Sequence, residues 1–280
     1  MPDKHIGTHD KDRNLKISKR EVILTHTTEQ LHFPFLYEAK DGTWYMTYRE
    51  GPHGPPGGDR VHCTLSHDRG ATWKPYPGLR AGTMKLRLFY RELSDGTLLA
   101  NRYTSRLDKD GEHYMEMLRS GDDGCVWLEE DAPLMNLPSE LRQTESVTIY
   151  PWDQDTPSVA FWGRCIELEP NCLIQGFYMQ DVTATKQTGY YKYITGLFKS
   201  ENMGSSWRFL SYICTDTTLG ANESSETSTT RHEGPNELDI EVLSNGDILS
   251  VFRTGGPIYM SRSTDKGNTW SPAVDTGVVG

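Results

Sequence analysis

STDKGNTW, residues Ser263–Trp270, has three relatives earlier in the same chain. Ser66–Trp73 reads SHDRGATW, Ser120–Trp127 reads SGDDGCVW and Ser200–Trp207 reads SENMGSSW. The shared template is Ser-x-Asp-x-Gly-x-Thr-Trp, with Asn202 in place of the acid and Val126 and Ser206 in place of the threonine. Each residue type suits a tight turn between two strands. An acidic side chain accepts backbone N–H groups, glycine takes positive φ without a Cβ clash, and tryptophan offers a large apolar plate to bury. The copies begin at positions 66, 120, 200 and 263, so they lie 54, 80 and 63 residues apart. Such spacing belongs to a repeated supersecondary unit with insertions of unequal length.

A second landmark precedes each copy. Asp41-Gly42, Asp95-Gly96 and Asn245-Gly246 are hairpin pairs, and Pro170-Asn171 takes their place in the third unit. The segments before them (FPFLYEAK, LFYRELS, FWGRCIELE, LDIEVLS) and after them (TWYMTYR, TLLANRY, CLIQGFY, DILSVFR) are β-rich and of strand length. Each unit thus has two strands, then a turn copy joining a third strand to a fourth. That is a four-stranded antiparallel sheet, the blade of a propeller, and the expected class is all-β. REVILTH, Arg20 to His26, is expected to add an outer strand. Two loops stand out: Gly51 to Gly58 (GPHGPPGG) inside the first unit, and the Ser/Thr-rich Thr215 to Asn236 between the third and fourth, expected to form a rim beside a pocket.

Composition narrows the function classes. Hydrophobic residues make up 35% of the chain and aromatic residues 10%, with 26 glycines and 15 prolines, a mixture that favours short strands and turns over long helices. A formal charge of −10 argues against a general nucleic-acid binder, whose phosphate contacts need a basic face. No run of 18 apolar residues is present, so no membrane-spanning helix is expected. The first twenty residues lack an apolar leader segment, which favours the cytoplasm while leaving the source compartment open. Five cysteines without a Cys-x-x-Cys pair fit a reducing compartment rather than a disulfide framework or a zinc site. No metal cluster, nucleotide-binding loop or Gly-x-Ser-x-Gly elbow occurs, and no cofactor is expected.

From Leu31 to Pro272 the turn copies resemble the Asp boxes (BNR repeats) of the sialidase (neuraminidase) superfamily. The resemblance implies a six-bladed β-propeller, with about four Asp-box blades in this chain and residues 1–280 as a single propeller domain incomplete at its C-terminus. It does not imply sialic acid, since other Asp-box propellers are lyases, other glycosidases, sorting receptors or assembly factors. NELDIEVLSNGDILSVFR is similar to the family segment that supplies a glutamate at the start of one inner strand and an arginine at the end of the next. Here those are Glu237 and Arg253, 16 residues apart. Aligned on their hairpin turns, the other units place Arg49, Tyr103 and Tyr178 at the Arg253 position, and Phe33, Arg87 and Trp162 at the Glu237 position. Arginine binds carboxylates with two prongs and aromatic faces cover sugar rings, so such a ring suits a sugar acid.

The chain departs from the family at two places. LHFP, Leu31 to Pro34, stands where sialidases have a Tyr-Arg-Ile-Pro-like stretch, so His32 replaces a carboxylate-binding arginine. The family's late arginine and nucleophilic tyrosine have no counterpart before Gly280. The family acid/base aspartate is matched best by Asp59, in a loop that also holds His53. The resemblance thus implies a glycoside hydrolase acting on terminal acidic sugars of glycans. Asp59 and Glu237 would be its catalytic residues, and His32, Arg49, His53, Arg87 and Arg253 its substrate-binding residues. A non-catalytic glycan- or protein-binding propeller and a propeller lyase, with His32 or His53 as its base, remain open alternatives.

Overall fold

A computed structural model describes residues 22–26, 28–51, 60–76, 89–121, 126–142, 159–220 and 233–279. The first blade runs β1 (Leu31–Glu38), β2 (Trp44–Glu50), β3 (Arg60–Ser66) and β4 (Lys74–Pro75), paired in that order. The second pairs β5 (Phe89–Glu92), β6 (Leu98–Asn101), β8 (His113–Ser120) and β9 (Leu128–Met135), with a short β7 (Arg106–Leu107) also on β8. The third is β10 (Ala160–Glu169), β11 (Cys172–Gln180), β12 (Tyr193–Ser200) and β13 (Trp207–Cys214), and β13 also pairs in parallel with β9, so that the second and third units share one nine-stranded sheet rather than the separate four-stranded sheets expected. The fourth is β14 (Asn236–Val242), β15 (Ile248–Arg253), β16 (Pro257–Ser263) and β17 (Val274–Val279). Within each blade the successive pairs with printed registers are antiparallel. Contacts divide the described residues into two compact units, 104–115 with 132–279, and 22–103 with 116–131.

The hairpins form where the turn pairs predict. Gly42, Gly96 and Gly246 have φ of +83°, +89° and +87°, and Asn171 supplies the same left-handed backbone at φ +68° in the unit without a glycine. Every turn copy joins the third strand of its blade to the fourth, and the three described in full share one hydrogen-bond pattern. Ser66 Oγ donates to Asp68 Oδ1 and accepts from Gly70 N at 2.7 and 2.8 Å; Asp68 then accepts from Thr72 N and Oγ1 at 2.8 and 2.6 Å. Asp265 holds Thr269 at the same two distances. Asn202 substitutes by accepting from Ser206 N and donating to Ser206 Oγ at 2.9 Å. Two consecutive residues of each turn are left-handed: Arg69 and Gly70, Met203 and Gly204, Lys266 and Gly267. Glycine was the expected site of positive φ; the residue before it adopts the same conformation.

Two features differ from the sequence expectation. Residues 22–26 are irregular and Val22 is exposed, so they form no outer strand. The described part of REVILTH has β propensity but no ladder to join, and Arg20 and Glu21 lie outside the described residues. A seven-residue helix, α1 (Val182–Thr188), interrupts the third blade between β11 and β12. Its signals were in the sequence: Asp181 caps it by accepting from Ala184 N at 2.8 Å, and Gly189 ends it at φ +73°.

The described core is densest in the third blade. Phe161, Phe177, Phe198 and Trp207 are completely buried, and the Phe177 and Phe198 rings lie 4.7 Å apart. Nearly all of β11 is buried, which requires cover on both faces of the sheet. One cover is β14: a Cβ at Gly176 would stand 3.0 Å from Leu238 Cδ1, and one at Gly163 would stand 2.8 Å from the Leu238 carbonyl. Glycine at both positions lets the inner strands of these two blades approach closely.

Candidate functional site

β14 is not regular at its start. Asn236 pairs with Arg253, yet Asp239 pairs with Val251, so two residues on one strand, Glu237 and Leu238, oppose one on the other, Phe252. The extra residue in this bulge is Glu237, at φ +41°. A side chain with a Cβ avoids that backbone region, and such strain collects where a group must be aimed. The first blade repeats the device: His32 pairs with Arg49, the register shifts before Phe35, and Phe33 has φ +52°. The turn alignment is therefore correct for those two blades. In the third blade Tyr178 pairs with Ala160, the bulge is one residue longer, and Gly163 is its left-handed residue. Phe161, fully buried, thus takes the place that the alignment assigns to Trp162.

The bulge turns Glu237 onto Arg253. Arg253 Nη1 donates to Glu237 Oε2 at 3.0 Å, while Nη2 reaches Glu233 Oε2 at 2.9 Å. One guanidinium holds two carboxylates, one at each end of its fork. This is not a solvated surface pair, since the side chains of Glu233, Glu237 and Arg253 keep only 14%, 26% and 34% of their accessible surface. In the register of blade four the trio lies at the end of the sheet away from the Ser263–Trp270 turn, because Ser263 pairs with Ile248 at the far end of β15. Sequence reasoning paired Glu237 with Arg253 correctly but missed Glu233. That residue sits in the Ser/Thr-rich stretch read as a polar rim, and its one local signal is Glu-Gly-Pro-Asn immediately before β14.

The surroundings fix Glu233 closely. Asn236, almost fully buried, donates from Nδ2 to Glu233 Oε2 at 2.9 Å and to the Gly234 carbonyl at 3.3 Å. The opposite amide orientation would set oxygen against oxygen, so this one is required. The Glu233 carbonyl accepts from Tyr193 N at 2.8 Å. Tyr193 in turn meets Tyr178 edge-to-face at 5.5 Å and stacks with Tyr191 at 6.2 Å. Helix α1 fixes the backbone between Tyr191 and Tyr193: Asp181 N donates to the Lys192 carbonyl, and Lys192 N to Thr185 Oγ1. Lys192 Nζ, buried, donates to the Thr217 carbonyl at 2.9 Å, and burial pulls its pKa down. Beyond Arg253, Thr254 Oγ1 donates to the Pro257 carbonyl, and Gly220 packs so closely on Thr254 that a Cβ would stand 2.8 Å from its oxygens.

Electrostatics separate the carboxylates. Burial pushes the Glu233 carboxyl above its usual range, the Arg253 charge and the Asn236 hydrogen bond pull it partly back, and Glu237 adds to the rise. Burial disfavours the charged form of Arg253, but the two carboxylates outweigh it and hold its pKa above the ordinary value. The trio can therefore orient the Glu237 carboxylate on Arg253, beside a Glu233 whose charged form burial disfavours.

The other sequence-predicted residues divide into two groups. Asp59, His53 and Arg87 lie outside the described residues. His32 and Arg49 are cross-strand neighbours in the first blade: the His32 Nε2 is 3.2 Å from the Gly51 carbonyl, and the Arg49 guanidinium stands 5.8 Å from the centre of the Phe33 ring. Among the described residues no group of three or more His, Cys, Asp or Glu side chains is placed to hold a metal ion. No helix there is long and apolar enough to cross a membrane.

Solved structures place this architecture. A protein of unknown function from Dyadobacter fermentans superposes with a TM-score of 0.60 at 19% identity, over 89% of this chain and 70% of that one. The NanB sialidase of Streptococcus pneumoniae matches at 0.54 and 13% identity, over 95% and 56%. The fold is the sialidase-type β-propeller. An α-L-arabinanase from Penicillium chrysogenum matches at 0.50 and 16% identity, over 88% of this chain and 66% of its own. No family model and no curated protein matches the sequence.

Proposed function

We propose that this propeller is a glycoside hydrolase acting on the terminal sugars of glycans, with Glu237 as its essential carboxylate. One observation carries the reading: Glu237 is held in a left-handed bulge at φ +41° with its carboxylate fixed on Arg253. Strain of this kind persists only where the surrounding structure imposes it. An ionised carboxylate so placed accepts a proton from the group that attacks the anomeric carbon, while a second acid returns a proton to the leaving oxygen. Asp59 is kept for that second part on the sialidase resemblance alone. The finer reading, a terminal acidic sugar, needs an arginine whose fork is open to the substrate. Arg253 already holds a glutamate at each Nη, so its role in this reading is to orient Glu237.

The test is sugar release from oligosaccharides and aryl glycosides ending in sialic acid, uronic acid, hexose or pentose, with wild type and Glu237→Gln in parallel. The expected result is release from one class and a fall of roughly 10²–10³-fold or more in the variant. Binding without release by the wild type would make the protein a glycan-binding module instead. Equal rates in both proteins would remove Glu237 from the chemistry.

A further inference from the structure

We infer that Glu233 is a specificity-determining residue: by occupying one end of the Arg253 fork it closes this guanidinium to substrate carboxylates, so that the sugar bound here is uncharged. The inference rests on the reading of Glu237 and Arg253 as a sugar site, and deepens it by naming the substrate class. Nη1 and Nη2 of Arg253 are committed to Glu237 at 3.0 Å and Glu233 at 2.9 Å. A sugar acid seeking the two-pronged contact that arginine prefers would have to share these two nitrogens with the glutamates or displace one of them. Glu237 is tied to its place by the bulge. Glu233 is the more deeply buried of the two, and both Asn236 Nδ2 and the Tyr193 N–H anchor its residue. Neither leaves easily.

Charge works in the same direction. With both glutamates ionised, two negative charges face one positive charge, and a third carboxylate would meet net repulsion at short range. The remaining ionisable neighbours do not reverse this. Lys192 directs its ammonium to the Thr217 carbonyl, with Asp216 near it, and the Tyr178 phenol adds no positive charge. Tyr191 and Tyr193, partly buried and stacked on each other, supply what a neutral ring needs, which is aromatic surface rather than a counter-ion.

Matched sugars isolate the effect, because methyl glucoside and methyl glucuronide, or methyl galactoside and methyl galacturonide, differ only in the carboxylate. Calorimetric titration of the wild type at pH 7 is expected to show the neutral member of a pair binding at least about tenfold more tightly. In Glu233→Gln, which keeps the shape and removes the charge, the preference should shrink by about tenfold, with sialic acid gaining affinity as well. Acidic sugars binding the wild type as tightly as their neutral partners would overturn the inference without need of any variant. An unchanged preference in a folded Glu233→Gln would equally overturn the part given to Glu233, while leaving the sugar site standing. If no sugar binds either protein, the sugar-site reading falls and this inference with it.

Discussion

Replacing Glu237 by glycine and, separately, by alanine separates backbone strain from side-chain chemistry. Both substitutions remove the carboxylate and its partly buried pair with Arg253, a loss that is common to the two. They differ only in the Cβ at φ +41°. Left-handed backbone costs a residue with a Cβ about 1–2 kcal/mol. Glycine avoids that cost but loses roughly 0.5–1 kcal/mol more chain entropy on folding. The difference leaves Glu237→Gly about 0.5–1 kcal/mol more stable than Glu237→Ala, a gap of about 2 °C in Tm for a chain of this size. Equilibrium urea unfolding measures it, given equal m-values. Both variants should also lack sugar release, so that the more stable one is no more active. Glu237→Ala as stable as Glu237→Gly, or more so, would refute the strain argument and with it the reason for singling out this bulge.

Three further outcomes follow from other parts of the chain. Gly196→Ala would bring a Cβ to 2.5 Å from the Phe177 ring and 2.8 Å from the Ser211 carbonyl, so urea unfolding should show a loss of about 1–3 kcal/mol from overpacking. Hydrogen bonds from Thr72 and Ser66 hold Asp68 down to about 2, below its unfolded value; its contribution is present above the unfolded pKa and is lost as pH falls through the folded one. Asp68→Asn, imitating Asn202, should therefore flatten the change in urea midpoint between about pH 4 and pH 2, and an unaltered slope would refute that assignment. Glu233 has the opposite sign: its folded pKa is raised, so stability is greatest below the unfolded pKa and declines as pH rises through the folded one. Glu233→Gln should be more stable than wild type at neutral pH and indistinguishable from it near pH 4.

What could be read from sequence was whatever depends on neighbours along the chain. Turns are local, so four copies of one turn and four hairpin pairs were enough to order sixteen of the strands into blades. Glu237 and Arg253 were paired because an antiparallel hairpin centred on Asn245-Gly246 brings its two ends together. Glu233 was not legible, because apart from Asn236 close by its partners are Arg253, twenty residues on across the loop and hairpin, and a tyrosine of the preceding blade. The REVILTH strand failed for a related reason: β propensity states what a segment tolerates, while pairing depends on an available edge. Helix α1 was overlooked because seven residues give less than two full turns of apolar periodicity, although both of its caps were in plain view.

A crystal structure of Glu237→Gln soaked with an uncleaved glycoside, under conditions where the variant does not turn over, would show the site itself. The expected map has a neutral sugar ring within hydrogen-bond distance of side chain 237, a tyrosine face beside it, and Arg253 still bound to Glu233. A sugar bound elsewhere, or a sugar carboxylate seated on Arg253 in place of Glu233, would contradict the assignment.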